Sequence, residues 1–158
     1  MQVRVGTGFD VHPLAAGRPL ILGGVRIAHP RGLAGDSDAD VLAHAVSDAL
    51  LGAAGLGDLG THFPPGDPRY AGADSLGLLT QVCELIKGRG WRLGNVDATV
   101  IAERPRLAPH LDAMRTNLAR ALGVPPDAVS VKAKTSDKLG YVGREEGIAA
   151  QAVALIQR

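Results

Sequence analysis

Val3-Arg4-Val5-Gly6-Thr7-Gly8-Phe9-Asp10-Val11-His12 decides how the rest of this chain is read. Its valines alternate with polar or small residues, the two-residue period of an extended strand, so Asp10 and His12 point to the same side. The strand therefore ends in two groups able to bind a metal. Farther on, Asp36-Ser37-Asp38-Ala39-Asp40-Val41-Leu42-Ala43-His44 opens a run of Val, Leu and Ala that reads as a helix, from a Ser37 or Asp38 cap to Gly55. Asp40, His44 and Asp48 fall on one stripe of that helix. Two imidazoles and a carboxylate, from His12, His44 and Asp10, suit a borderline cation such as Zn²⁺ and leave a position open for a substrate oxygen. Taken singly, the Asp-x-His pair is also an ordinary polar strand end, and His44 an ordinary hydrogen-bonded helix histidine.

Outward from these two elements the pattern is mixed. Pro19 to Ile27 reads as a hairpin, because Gly23-Gly24 can take the positive φ angles of a tight primed turn. Leu56 to Ala73 is rich in Gly, Pro and Asp and too long for an ordinary connection, which suits a substrate-covering loop. An Asp74 or Ser75 cap begins a helix to Gly88 whose Leu78, Leu79, Val82, Leu85 and Ile86 share one face. Val96, Ala98, Val100 and Ala102 alternate as a strand, followed by the basic turn Glu103-Arg104-Pro105-Arg106-Leu107 and a helix from Pro109 to Leu122, stopped by Gly123. Val129, Val131 and Ala133 form a strand that leads into Lys134-Thr135-Ser136-Asp137-Lys138, where hydroxyls between two lysines suit an anion. Gly147 to Ile156 is ambiguous: its alanines favour helix, while its length and final position suit a strand completing the sheet.

Strands and amphipathic helices mixed in this way give an α/β (α+β) two-layer sandwich, with a mixed four-stranded sheet, helices on one face and a small hairpin. The strands carry little charge on either face, so the uncovered face is expected to pack against other copies. At 158 residues the chain reads as a single domain spanning 1–158. A formal net charge of +1 and 3% aromatics supply neither a basic stripe nor stacking platforms, which argues against nucleic acid. No signal-type leader or membrane-length apolar run is present, so a cytoplasmic protein without a membrane partner is expected. Cys83 is the only cysteine; its place among Leu79, Val82 and Ile86 makes it a core thiol.

Gly8-Phe9-Asp10-Val11-His12, Ile21 to Val25, Ser37 to His44, Leu51 to Gly60 and Lys138-Leu139-Gly140-Tyr141-Val142-Gly143-Arg144 resemble, in order and over nearly the whole chain, the 2-C-methyl-D-erythritol 2,4-cyclodiphosphate synthase family. The resemblance implies a phosphorus-oxygen lyase of non-mevalonate isoprenoid synthesis. In that reaction a 4-diphosphocytidyl methylerythritol 2-phosphate closes on itself, its 2-phosphate attacking its own β-phosphate and releasing CMP. It also implies a homotrimer, sheets packed around the trimer axis, with active sites at subunit interfaces. It places a transition metal, usually Zn²⁺ with Mn²⁺ or Co²⁺ as substitutes, on Asp10, His12 and His44. A second cation, Mg²⁺ or Mn²⁺, would meet Asp137 and the substrate diphosphate, with Thr135 supporting the phosphates. Asp10, Val11, His12, Asp36 and Ser37 would also meet the substrate, and the methylerythritol pocket falls on Asp58, Leu59, Gly60 and the loop Phe63 to Asp67. The cytidine pocket falls on Ala102, Arg106, Leu107, Lys134, Thr135, Ser136 and Asp137, contributed by a neighbouring subunit.

Some positions depart from the family's pattern. Asp36 stands where a histidine is usual, so its transition-state role depends on an aspartate that would repel phosphate unless protonated or turned away. Pro65 replaces an acid, so its hydroxyl contact to the erythritol is either lost or taken by Asp67. Asp137 is one methylene shorter than the usual glutamate, and Tyr141 replaces a phenylalanine near the proposed threefold axis. Arg144 either lines an axial cavity for an isoprenoid diphosphate or pairs with Glu146. Other readings of the same residues are a mononuclear Fe(II) oxygenase, a trimeric isoprenoid diphosphate carrier without chemistry, and a metal-dependent phosphohydrolase releasing a linear product.

Overall fold

The computed structural model describes residues 1–158. In chain order the elements are β1 (Val3–Ala16), β2 (Leu20–Leu22), β3 (Val25–Ile27), β4 (Arg31–Leu33), α1 (Val41–Ala54), α2 (Leu59–His62), α3 (Ser75–Gly88), β5 (Arg92–Ile101), α4 (Leu111–Leu122), β6 (Val129–Lys134), α5 (Gly140–Gly143) and β7 (Gly147–Gln157). The main sheet runs β4-β1-β7-β5-β6, and β2 pairs with β3 in a separate hairpin. The ambiguous final segment is thus a strand, and a central one: β7 is antiparallel to β1 from Val3↔Gln157 to Pro13↔Gly147 and antiparallel to β5 on its other side. Only β5 and β6 run parallel, joined through α4 as a crossover requires.

The sheet differs from expectation in two ways. The sheet has five strands rather than four, because Arg31–Leu33 adds a short antiparallel edge to Leu14–Ala16. For the same reason β1 does not end at His12 but continues to Ala16, so Asp10 and His12 sit inside a paired strand. Backbone pairing on both sides of the ligands makes them more rigid than a strand end would.

Helix α1 begins at Val41, with Asp40 as its cap rather than Ser37 or Asp38. The Asp40 carboxylate accepts Ala43 N–H at 3.1 Å and also Gly23 N–H at 2.9 Å and Gly24 N–H at 2.7 Å. One buried side chain thereby closes the helix and pins the hairpin turn to it. Gly23 and Gly24 have φ of 56° and 71°, the positive values a primed turn requires. Most of α1 is buried, including His44, because β1 and β7 lie on one side and α3 on another. A helix that is apolar nearly all round belongs in such a place.

The approach of α1 to β1 depends on glycine. Gly6 and Gly8 share the face of β1 that carries Asp10 and His12. A Cβ at Gly8 would lie 1.9 Å from Ala45 O, and one at Gly6 2.1 Å from Ala49 O. The helix backbone therefore rests directly on the strand, which brings His44 down to the level of Asp10 and His12. The opposite face of the sheet carries exposed Val3, Val5, Phe9, Val11 and Val153. A single cluster of buried side chains, among them Leu42, Leu50, Leu79, Met114, Leu118, Ile148 and Ile156, fills the space between sheet and helices.

Candidate metal centre and adjoining cavities

Asp10 Oδ2, His12 Nε2 and His44 Nδ1 converge at the helix side of β1. Asp10 Oδ2 lies 2.9 Å from His12 Nε2 and 3.0 Å from His44 Nδ1, and the two nitrogens are 3.2 Å apart. The three residues form the one group of His, Cys, Asp and Glu side chains close enough to hold a metal ion. The outer nitrogens are already engaged. His12 Nδ1 is 2.9 Å from Ala34 O, which can only accept, so its proton sits there and Nε2 faces inward as a lone pair. His44 Nε2 is 2.8 Å from Ser75 Oγ. Three acceptor atoms so close together repel one another unless a cation lies among them, and two imidazoles with one carboxylate fit Zn²⁺ with an open position.

Burial pushes the Asp10 carboxyl up, but hydrogen bonds from His12 and His44 outweigh it and hold the group at about 2. Burial pushes the His12 imidazole down, and its hydrogen bond to Asp10 more than offsets this, so the net shift is upward.

The cluster opens into a cavity of about 400 Å³. Asp36, Ser37, Asp58, Leu59, Gly60, Phe63 and Asp67 line it, joined by Asp48, Tyr70 and Leu78, none of which was expected at the site. The loop from Leu56 to Ala73 forms one wall and is not irregular throughout: it contains α2 and a single turn at Pro68–Tyr70. Asp48, one helical turn beyond His44, accepts Leu59 N–H at 2.7 Å and ties α2 to α1. Burial raises its pKa, partly offset by that bond. Asp36 is turned to the loop, where its Oδ2 accepts Gly66 N–H at 2.9 Å. Asp67 is clamped by Arg69 with an N–O distance of 2.6 Å, and the Arg69 hydrogen bond lowers its pKa. Val11 does not line this cavity: adjacent to Asp10 and His12 in a strand, it points to the open face, 42% exposed.

A second cavity, of about 730 Å³, lies where β5 and β6 end. Ala102, Arg106, Leu107, Lys134 and Thr135 line it, with Arg104, Glu103 and the unforeseen His29. Ala102 N–H donates to Lys134 O at 2.9 Å, which joins the two segments within one chain. Its charged lining holds three cations, Arg104, Arg106 and Lys134, against Glu103, whereas the first cavity carries five carboxylates. Val11, Ala149, Ile101 and Lys134 share one level across the sheet. β1 and β6 are thus three strand spacings apart there, about 14 Å. Ser136 and Asp137 line neither cavity; Asp137 sits in an exposed turn with φ of 55°. Tyr141 is on α5, and Arg144 pairs with Glu146 at 2.7 Å, the second of its two readings.

Similarity to known proteins covers the same span. A model of the YgbB family matches residues 3–157. A 2-C-methyl-D-erythritol 2,4-cyclodiphosphate synthase from Thermosynechococcus vestitus is 62% identical over 99% of this chain and 98% of its own. A solved 2C-methyl-D-erythritol-2,4-cyclodiphosphate synthase in a CDP-bound form is 39% identical, with a TM-score of 0.89 over 98% of this chain and 100% of its own. A bifunctional protein from Campylobacter jejuni matches at 42% identity and a TM-score of 0.94 over 98% of this chain, which spans 42% of that longer one.

Proposed function

This chain belongs to the YgbB family, and from that premise we propose that it converts 4-diphosphocytidyl-2-C-methyl-D-erythritol 2-phosphate to the 2,4-cyclodiphosphate and CMP. The observation that carries this reading is the convergence of Asp10, His12 and His44 on the wall of a cavity sized for a small polyol phosphate.

The nucleophile belongs to the substrate. An oxygen of its 2-phosphate attacks the β-phosphorus, the bond from that phosphorus to the bridging oxygen breaks, and the electron pair leaves on CMP. What the protein must do is bring two anions together and hold them in line. Five carboxylates around the first cavity would oppose any phosphate entering it alone, so the cavity is suited to this substrate only with a cation on Asp10, His12 and His44. Bound there, a divalent metal supplies Lewis-acid neutralisation of phosphate oxygens. Asp58 to Gly60, Phe63 and Asp67 enclose the methylerythritol, and Asp36 keeps the loop folded over it through Gly66. The cationic second cavity receives the cytidine nucleotide, with Lys134 and Thr135 against its phosphates and Arg106 and Leu107 beside the base. We assign Asp137 to a second cation, Mg²⁺ or Mn²⁺, which typically relies on substrate phosphates and one or two carboxylates.

The exposed valines and Phe9 on the open sheet face support a closed homotrimer, with a neighbouring copy's second cavity completing each site. No helix is long and apolar enough to cross a membrane, and we place the protein in the cytoplasm. Incubation with the diphosphocytidyl substrate and Mg²⁺ should yield CMP and a cyclic diphosphate in equal amounts. A linear phosphate product would indicate a hydrolase instead. A concentration-independent monomer mass by light scattering would remove the shared site.

A further inference from the structure

Behind His44, away from the cavity, lies a polar chain, from buried Ser75 to half-buried Asp38, that the proposed reaction does not use. Ser75, the first residue of α3, is fully buried, and its Oγ is 2.8 Å from His44 Nε2. Its hydroxyl meets Asp38 Oδ1, and its backbone N–H reaches Asp38 Oδ2 at 3.1 Å. Asp38 is itself fixed, since its Oδ1 also accepts Asp40 N–H at 3.1 Å and its own N–H donates to Ala73 O at 3.0 Å. Ser37 Oγ stands 3.3 Å from the same imidazole nitrogen and accepts Ala39 N–H at 3.1 Å.

With a cation in the cluster, where Nδ1 must be bare to ligate it, the donors and acceptors around Nε2 fit one arrangement. An ionised Asp38 carboxylate can only accept, so the Ser75 hydroxyl proton is directed to it. The Ser75 oxygen is then left with lone pairs toward His44, and the proton between them belongs to Nε2 of the imidazole. A neutral imidazole carries one such proton, so Nδ1, which faces Asp10 Oδ2 and His12 Nε2, is bare. The chain carboxylate, serine, imidazole thus does for His44 what the Ala34 carbonyl does for His12.

We propose that Asp38 and Ser75 are positioning residues that hold His44 as the Nε2–H tautomer with Nδ1 aimed into the cluster, and so set the metal affinity of the Asp10, His12 and His44 centre. The proposal rests on the metal site of the preceding section. It gives the N-terminus of α3 a part in the site, although no residue of α3 contributes a metal ligand. Outer partners of metal-bound histidines typically change affinity by about 10- to 100-fold when removed.

Two measurements test it. Zinc affinity would be read by competition with a chromophoric chelator for wild type, Ser75→Ala, Asp38→Asn and Ser75→Ala/Asp38→Asn, with thermal melts of each metal-free protein to separate misfolding from lost affinity. Both single variants should bind zinc about 10- to 100-fold more weakly. The double variant should be little worse than Ser75→Ala, because Asp38 acts through the serine. Independently of any variant, ¹⁵N-histidine spectra of zinc-loaded wild type should place the His44 proton on Nε2 and the metal on Nδ1. Unchanged zinc affinity in both single variants, or a proton on Nδ1, would overturn the proposal while leaving the metal site standing. Failure of wild type to bind zinc would overturn both.

Discussion

Gly8→Ala should cost this protein its metal although Gly8 is not a ligand. Its added Cβ would stand 1.9 Å from Ala45 O and 2.8 Å from Ala49 N, where ordinary contact begins at 3.4 Å. The obstacle is helix backbone, which cannot rotate aside, so α1 must withdraw by up to about 1.5 Å or the strand must bend away. His44 rides on that helix one residue before Ala45, while Asp10 and His12 stay on the strand. Zn²⁺ tolerates ligand distances only within about 0.2 Å, so a separation of this size removes one of three ligands. Overpacking also costs about 1–3 kcal/mol of stability. Gly52→Ala is the control on the same helix: its Cβ would have only Thr7 O nearby, at 3.7 Å, and alanine favours helix. Metal content of the purified variants and thermal melts with and without added zinc decide the matter. A Gly8→Ala protein that retains one equivalent of zinc and melts with wild type would show that the close approach of α1 does not position His44.

Asp40→Ala removes a helix cap and leaves Gly23 and Gly24 N–H without their carboxylate partner; a loss of about 3 kcal/mol in denaturant unfolding is expected, with zinc content unchanged once refolded. In the metal-free protein the raised His12 pKa contributes stability that is fully present below the unfolded value of 6.5 and is lost as pH rises through the higher folded value. The melting temperature in EDTA should therefore fall as pH rises above 6.5, and zinc should reverse the trend by replacing the proton. Equal slopes with and without zinc would count against the cluster as the metal site. Burial pushes the Cys83 thiol up to about 11, so native protein should resist iodoacetamide at about pH 8, where roughly one thiol in a thousand is ionised; rapid alkylation would mean that α3 opens.

What was legible in the sequence and what was not divide along the range of the interactions. Alternation over Val96 to Val100 and the apolar face of Leu78, Leu79, Val82 and Ile86 are local signals, and both elements formed, although Leu85 is exposed and the strand runs from Arg92 to Ile101, stopping before Ala102. Arg31–Leu33 is too short to show a period, so β4 exists only because Leu14–Ala16 offers it an edge. Ser37, Asp38 and Asp40 are all good caps, and local propensity cannot rank them. The choice falls to Asp40 because the hairpin brings Gly23 and Gly24 N–H to it, which leaves Ser37 and Asp38 free to face His44 and Ser75. The ligand types could likewise be read from Asp10, His12 and His44, but not which nitrogen of each imidazole points inward. That depends on Ala34 and on Ser75, 22 and 31 residues away from the histidines they hold. One trace of this was present locally: Gly6 and Gly8 alternate on the ligand face of β1, and small residues at that spacing are what allow a helix backbone, and with it His44, to reach the strand.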